Sequence, residues 1–414
     1  MIIDERLSAA GLPPLTRSMW LEIDVGALVG NLVAIRQQVR PGTAVWPVVK
    51  ADGYGHGLEV AARAFLAAGA DGLCVATLDE AVALRAADIE GAVLILYPVP
   101  ADTAEDAARQ GFELAVSTVA GAMALVDWWT STRAASRGSE LRVHLEIDTG
   151  LTRMGVLPAA TDAVMERLAV PGLTLAGIWS HLAIPEDAVM SSAQEGRLAE
   201  AVEAAGHTGP AGHTGPAAYA SHLAATGGLL TRRGLGLGMV RPGLLAYGVT
   251  PTSDPPPFPG LRPVLRLKAS AMRIETVPTG TPVGYGGTWV AARESRIATL
   301  PVGYGDGYAR SLSGAPVLVR GSRVPVVGVV AMDALTVDIT DVPSVGPADE
   351  FVLLGTQGEE AISVLDLARL RTTIPWEVLT GMTRRSTRVY DAGVGLLGVR
   401  TLAGETLVRD APWS

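Results

Sequence analysis

The chain has 414 residues, 48% hydrophobic and 18% charged, with a formal net charge of −9. This length predicts two domains with a large buried core, and the apolar share excludes a disordered chain. The acidic balance, with no basic stripe, excludes a nucleic-acid partner, and a single cysteine, Cys74, excludes an internal disulfide framework.

No run of 18 apolar residues suggests a membrane span. The opening MIIDERLSAAGL has no basic stretch leading into an apolar block, so it does not read as a secretory signal. A cytoplasmic location is expected. Residues 1–17 read as an irregular lead-in. Residues 20–25 have a strand's character, and Asp24 is placed to cap a helix over 27–38. The next apolar run, Val45 to Val49, is broken only by Pro47 and ends at Lys50 in the string PVVKADGYGHG. A helix over 56–68 then precedes a strand over 72–76. The alternation continues with helix 78–87 and strand 92–96, then helix 101–110 and strand 113–116. It ends with helix 119–130 and strand 142–147, and helix 159–169 and strand 173–179. Repeated βαβ units of this size predict a parallel sheet, and so many of them predict an eight-stranded α/β barrel over residues 18–250.

GHTGPA occurs twice in succession over 206–217. Its Gly and Pro content reads as a lengthened surface loop. His207 and His213 have no carboxylate or cysteine beside them, so no metal site is expected. The Pro-rich string VTPTSDPPPFPG reads as a connector. Beyond it, short β-branched stretches at 264–276, 295–302, 315–319, 324–330, 335–339 and 350–354 predict a mostly β domain over 251–414, interrupted by a helix over 362–369. Residues 378–389 mix apolar and cationic side chains and fit no simple pattern.

A lysine delivered by an apolar strand to a barrel mouth loses proton affinity and becomes a nucleophile for carbonyls. Other polar residues stand at predicted strand ends: Glu146 in EIDTG, leading to Arg153, then His181 after IWS and Arg241 in MVRPGLLAYG. In the β domain, Tyr285 and Tyr304 stand in Gly-Tyr-Gly settings that bend sharply and let a ligand approach, and Met332 and Asp333 lie in VVAMDALTVD. Taken singly, each has a mundane reading: a strand-end lysine, a turn tyrosine, a capping aspartate, a solvent-facing arginine. Their order along one chain is hard to obtain by accident.

The ordered set VVKADGYGHG, RPGLLAYG, YGGTW and GYGDGYAR resembles the bacterial alanine racemases, from MWLEIDVGALVGNL to TIPWEVLTGMTRR. The resemblance implies a pyridoxal 5'-phosphate enzyme acting on a small amino acid, built as a homodimer in which the β domain of one subunit completes the barrel site of the other. It implies that Lys50 holds the cofactor covalently and then serves as base on one face of the substrate α-carbon, with Tyr285 as base on the opposite face. Arg153 would position a phenol and the substrate carboxylate, and Arg241 would face the pyridine nitrogen. His181 would link Arg241 to the catalytic phenol. Tyr54, Thr226, the amides of Gly243 and Leu244, and Trp376 would surround the phosphate, and the Met332 amide would meet the substrate carboxylate. Tyr304 and Asp333 would support the site. Racemisation needs a proton removed from one face and another delivered to the other, so two bases of different chemistry make sense.

Three positions depart from the family pattern. Glu146 stands where a lysine modified by carbon dioxide is frequent, and a carboxylate there already carries the charge to pair with Arg153. Thr226, preceded by Ala225, stands where serine after asparagine is usual. Trp376 stands where a tyrosine is expected, which leaves serine or another small amino acid open beside alanine. A non-catalytic carrier of the cofactor is a further alternative, although it would need neither a second domain nor Tyr285. A decarboxylase fits less well, because that chemistry prefers an acid opposite the ring nitrogen.

Overall fold

In the computed structural model, which describes residues 3–132, 138, 140–208, 220–252 and 259–408, the chain divides into two units. One holds Leu32–Gly53 and Ala61–Ala246, and the other holds Met1–Asn31, Tyr54–Val60 and Tyr247–Ser414.

Within the first unit, strands Leu73–Val75, Val93–Ile95, Phe112–Val116, Leu141–Glu146 and Leu173–Trp179 pair in chain order, all in parallel. Ala44–Val45 pairs in parallel with Met239–Val240. Parallel bridges join Val48 to Cys74, and His222 to both Trp179 and Met239. These five strands, Ala44–Val45, Met239–Val240 and the His222 segment make eight parallel segments, and the ring closes. The near-continuous apolar strings LCV, VLI and FELAV follow from this closure, because a barrel strand is buried on both faces. Pro47 interrupts the first strand by lacking an N–H. Its neighbours still bond both ways: Val48 N–H donates to the Pro242 carbonyl and Val49 N–H to the Cys74 carbonyl, each at 2.8 Å.

Helices return the chain between strands. Leu78–Ala86 begins with a capping box in which the Thr77 side chain accepts from the Glu80 amide. Val119–Ser131 is capped by Thr118. A long helix, Ala188–Thr208, takes in the first residues of the GHTGPA repeat expected as loop. The remainder of that repeat, with His213, lies outside the described residues, as does half of the Pro-rich connector.

The second unit is built on a twelve-stranded sheet. Met19–Asp24, expected at the head of the barrel, belongs to this sheet instead, pairing antiparallel with Leu265–Ser270 and parallel with Arg388–Asp391. An apolar strand announces its burial but not its partners, and these lie hundreds of residues away. The lead-in is a helix rather than irregular: Ile3–Ala9 places Leu7 in a core cluster with Trp20, Val389 and Val399. Glu22 is buried in the first strand, and Arg6, Arg266 and Lys268 meet it at 3.0, 2.9 and 3.2 Å. Burial pushes its carboxyl up, but these three cations outweigh that and hold it below the usual range. The stretch expected as one strand over 264–276 is two, Leu265–Ser270 and Arg273–Val277.

Residues 378–389 also acquire an explanation. The helix Pro375–Thr380 ends there and the strand Arg388–Asp391 follows. Arg388 is fully buried and donates to the carbonyls of Gly55, Met382, Thr383 and Ser386 at 2.9–3.0 Å. At Gly55 a Cβ would stand 2.2 Å from the Leu379 carbonyl oxygen, so only glycine lets the segment carrying Tyr54 pack there. Among the described residues, no helix is long and apolar enough to cross a membrane.

Candidate active site

Because all the barrel segments run in parallel, residues just past their ends gather at one mouth, where barrel sites are built. Lys50 follows Val48, Tyr97 follows Val93–Ile95, Glu146 ends Leu141–Glu146, His181 follows Leu173–Trp179 and Arg241 follows Met239–Val240. The chain leaves Lys50 through a left-handed turn: Ala51, Asp52, Gly53 and Tyr54 all have φ between 53° and 62°. Three of them carry a Cβ, at roughly 1–2 kcal/mol each, so the surroundings must hold the turn. Glu80 is one such support. Its carboxylate accepts the Ala51 amide at 2.7 Å and the Ala76 amide at 2.8 Å.

The mouth is rich in positive charge. Lys50 is half-buried, and burial first and repulsion from Arg153 second push its amine below a lysine's usual range. The Lys50 Nζ lies 5.8 Å from the centre of the Tyr97 ring, and the Arg153 guanidinium carbon lies 5.5 Å from the same centre. Arg241 is buried and donates to the Ser180 carbonyl at 2.9 Å and to Nδ1 of His222. Burial pushes its pKa down to about 10, which leaves it charged at neutral pH. His181 is the counterpoint: burial, then Arg241, Arg153 and Lys50, push it down to about 3, so its ring is neutral. Burial raises the Glu146 carboxyl, although Arg153 and Arg241 pull the other way. Glu146 stands 3.9 Å from Arg153.

Thr226 opens the short helix Thr226–Thr231, and its hydroxyl accepts the Leu245 amide at 3.2 Å. Leu244 opens the 3-10 helix Leu244–Tyr247, directly after Gly243. Two helix starts thus meet at one buried hydroxyl, and the first amides of a helix have no partner within it. A primary amine, an arginine, a hydroxyl and helix-start amides form a donor set suited to a phosphorylated aldehyde and to a carboxylate.

The second unit carries the remaining expected residues. Tyr285 is 75% exposed, on a tight turn between Gly284, Gly286 and Gly287, all at positive φ. Tyr304 is partly exposed and starts the turn Tyr304–Asp306. Its amide donates to the Ala331 carbonyl at 3.0 Å, and the Gly305 amide to the Met332 carbonyl at 2.9 Å. Gly303 permits this, since a Cβ there would fall 2.3 Å from both the Ala331 and Met332 oxygens. Asp333 accepts from Arg385 at 2.6 Å. Arg385 also donates to Asp306 at 2.9 Å, as does Arg17 at 2.7 Å. Tyr54 stacks on Tyr247 with ring centres 4.9 Å apart. Trp376 is half-buried near the start of Pro375–Thr380.

Lys50, Glu146, Arg153, His181, Thr226, Arg241, Gly243 and Leu244 are therefore carried by the barrel unit. Tyr54, Tyr285, Tyr304, Met332, Asp333 and Trp376 are carried by the other. Sequence reasoning missed four participants. Tyr97 was reachable, since it stands at the end of a predicted barrel strand. Asp306 lies inside GYGDGYAR and was passed over for its neighbouring tyrosine. His222, which receives the Arg241 hydrogen bond expected to involve His181, carries no local signal, and neither does Glu80.

Residues 23–251 match the family described as alanine racemase, N-terminal domain, and residues 264–390 the family described as alanine racemase, C-terminal domain. The chain is 36% identical over 379 residues to an alanine racemase of Syntrophobacter fumaroxidans, covering 91% of this chain and 98% of that protein. Its structure is similar to that of the alanine racemase of Bacillus anthracis with bound L-Ala-P, with a TM-score of 0.86 and 29% identity over 94% of this chain and 99% of that one. It is also similar to a histidine racemase of Leuconostoc mesenteroides, with a TM-score of 0.80 and 26% identity over 91% of this chain and 98% of that one.

Proposed function

The chain belongs to the alanine racemase family, and on that premise we propose that it interconverts L- and D-alanine by a two-base mechanism dependent on pyridoxal 5'-phosphate, as a cytoplasmic homodimer. What supports this most is the Lys50 amine, half-buried at a barrel mouth beside two arginines and a neutral histidine. Pyridoxal phosphate, when bound, supplies the electron sink that makes the substrate's α-hydrogen acidic.

The chain's own residues do the rest. Lys50 anchors the cofactor. Its depressed proton affinity keeps more of it uncharged at neutral pH, which serves both the anchoring and the later proton transfer. Tyr285 of the partner subunit meets the opposite face, and its exposure on a glycine-bounded turn suits a phenol that works outside its own subunit. Arg153 and the Met332 amide bind the substrate carboxylate, and Glu146 restrains Arg153 as a carboxylate without modification. Arg241 would face the ring nitrogen of the bound cofactor. At a pKa near 10 it offers a hydrogen bond there but keeps its proton at neutral pH. His181 links Arg241 to the phenol. Thr226, the amides of Gly243 and Leu244, Tyr54 and Trp376 hold the phosphate. Tyr304 and Asp333 brace the turn that carries Met332.

Trp376 gives the substrate-side wall a shape of its own, so the substrate is best read directly. Incubation with a panel of L-amino acids in deuterated water, followed for chirality and α-deuterium, should yield D-alanine deuterated at Cα, with serine slower. Deuterated D-serine or D-histidine with no D-alanine would move the substrate assignment, and no α-exchange from any amino acid would refute the racemase reading.

A further inference from the structure

Four buried polar side chains line up inside the barrel, and only the last two belong to the site above. Glu113 stands on Phe112–Val116, His144 on the adjacent Leu141–Glu146, and His222 on the segment beside Leu173–Trp179. The Glu113 Oε2 lies 2.5 Å from His144 Nε2, His144 Nδ1 lies 2.9 Å from His222 Nε2, and His222 Nδ1 receives an N–H of Arg241. The line is built for: a Cβ at Gly177 would fall 2.3 Å from His144 Nδ1, so glycine makes room for the ring. The other oxygen of Glu113 accepts from Arg142 at 2.6 Å, at a half-exposed guanidinium.

The direction of every hydrogen bond in this line is forced. Arginine is an obligate donor, so His222 Nδ1 must accept. A neutral imidazole then carries its hydrogen on Nε2, and His222 donates to His144 Nδ1. His144 in turn carries its hydrogen on Nε2 and donates to Glu113, whose carboxyl oxygen must accept. Any other protonation pattern of the two rings sets two hydrogens or two lone pairs against each other at a buried contact. Burial pushes the Glu113 carboxyl up, but the bonds from His144 and Arg142 outweigh that and hold it below the usual range, which suits it to accept. Burial beside Arg241 likewise holds His222 well below its usual range and so neutral.

We propose that Glu113 is a positioning residue for Arg241, acting through His144 and His222 to lock both imidazole tautomers and aim the guanidinium. The proposal rests on the reading of Arg241 as the group facing the cofactor's ring nitrogen. With the tautomers locked, His222 Nδ1 and the Ser180 carbonyl together fix the direction of the guanidinium. Without Glu113, the His144 hydrogen has no partner at that end, both rings can invert, and Arg241 is left with the Ser180 carbonyl but without His222 Nδ1 as an acceptor.

The test is imidazole NMR of the holoenzyme labelled with 15N-histidine, with ring signals assigned through single His→Gln variants. The wild type should show both His144 and His222 protonated on Nε2 alone. Glu113→Leu should give mixed or inverted tautomers and lower kcat by roughly 10–100-fold, the scale seen when outer partners of a functional group are removed, with KM nearly unchanged. Glu113→Gln, whose amide oxygen can accept the same N–H, should restore both the tautomers and most of kcat. Arg142→Met should alter neither. Protonation of His222 on Nδ1 in the wild type would overturn the proposal even if the leucine variant did not fold, and so would wild-type tautomers and kcat in Glu113→Leu. Neither result would touch the racemase reading, which stands or falls on α-deuterium exchange.

Discussion

Lys50→Ala is expected to lose covalent cofactor attachment entirely. Borohydride reduction of the wild type should fix the pyridoxyl group to the one peptide that contains Lys50, and reduction of the variant should fix it nowhere. Racemisation should fall by at least about 10⁴-fold, since the substitution removes a proton-transfer group worth roughly 10²–10⁴ together with the anchor. The variant should fold. Lys50 is half-buried, and the left-handed turn that follows it is held by the Glu80 bond to the Ala51 amide, which alanine at position 50 leaves in place. The depressed amine also fixes the sign of the pH response. A lysine whose proton affinity is lowered stays uncharged further down in pH, so activity should persist below the range expected of an ordinary lysine and fall as the amine protonates. A reduced adduct on another lysine would refute the assignment.

Tyr285→Phe should spare folding and cofactor binding and act on one proton transfer. Its side chain is 75% exposed, so loss of the hydroxyl should change stability by no more than about 0.5 kcal/mol. Exchange of the α-hydrogen with deuterated solvent should slow by roughly 10²–10⁴-fold for one enantiomer. For the other enantiomer, Lys50 still removes the proton and washout should be far less affected. The asymmetry is the diagnostic result. Two small and equal losses would mean that the phenol is not a base.

Lys50, Arg153, Arg241 and Tyr285 could be located in the chain because each stands beside a turn or strand end whose composition is unusual. A lone lysine after an apolar run and a tyrosine between glycines are both local patterns. The barrel was legible for a related reason, since strand-like and helix-like stretches alternate along it. Met19–Asp24 was not assignable, because nothing within MWLEID says that its ladder partners are Leu265–Ser270 and Arg388–Asp391. The same holds more strongly for the line from Glu113 to Arg241. Glu113 and His144 sit in ordinary strand strings, FELAV and LRVHLE, and are 31 residues apart, while His144 and His222 are 78 apart. Only barrel closure brings them into register. Arg388 shows the converse: an arginine in a stretch with no clear pattern proves to be a fully buried donor to four carbonyls.

Co-expression of Lys50→Ala chains with Tyr285→Phe chains tests whether the amine and the phenol act from separate subunits. Random pairing places both variants in about half of the dimers, and each mixed dimer then holds one site with both groups intact, so roughly a quarter of wild-type activity should return above that of either variant alone. If both groups came from a single chain, no site in any mixture would be whole, and the absence of recovered activity in demonstrably mixed dimers would contradict the shared site.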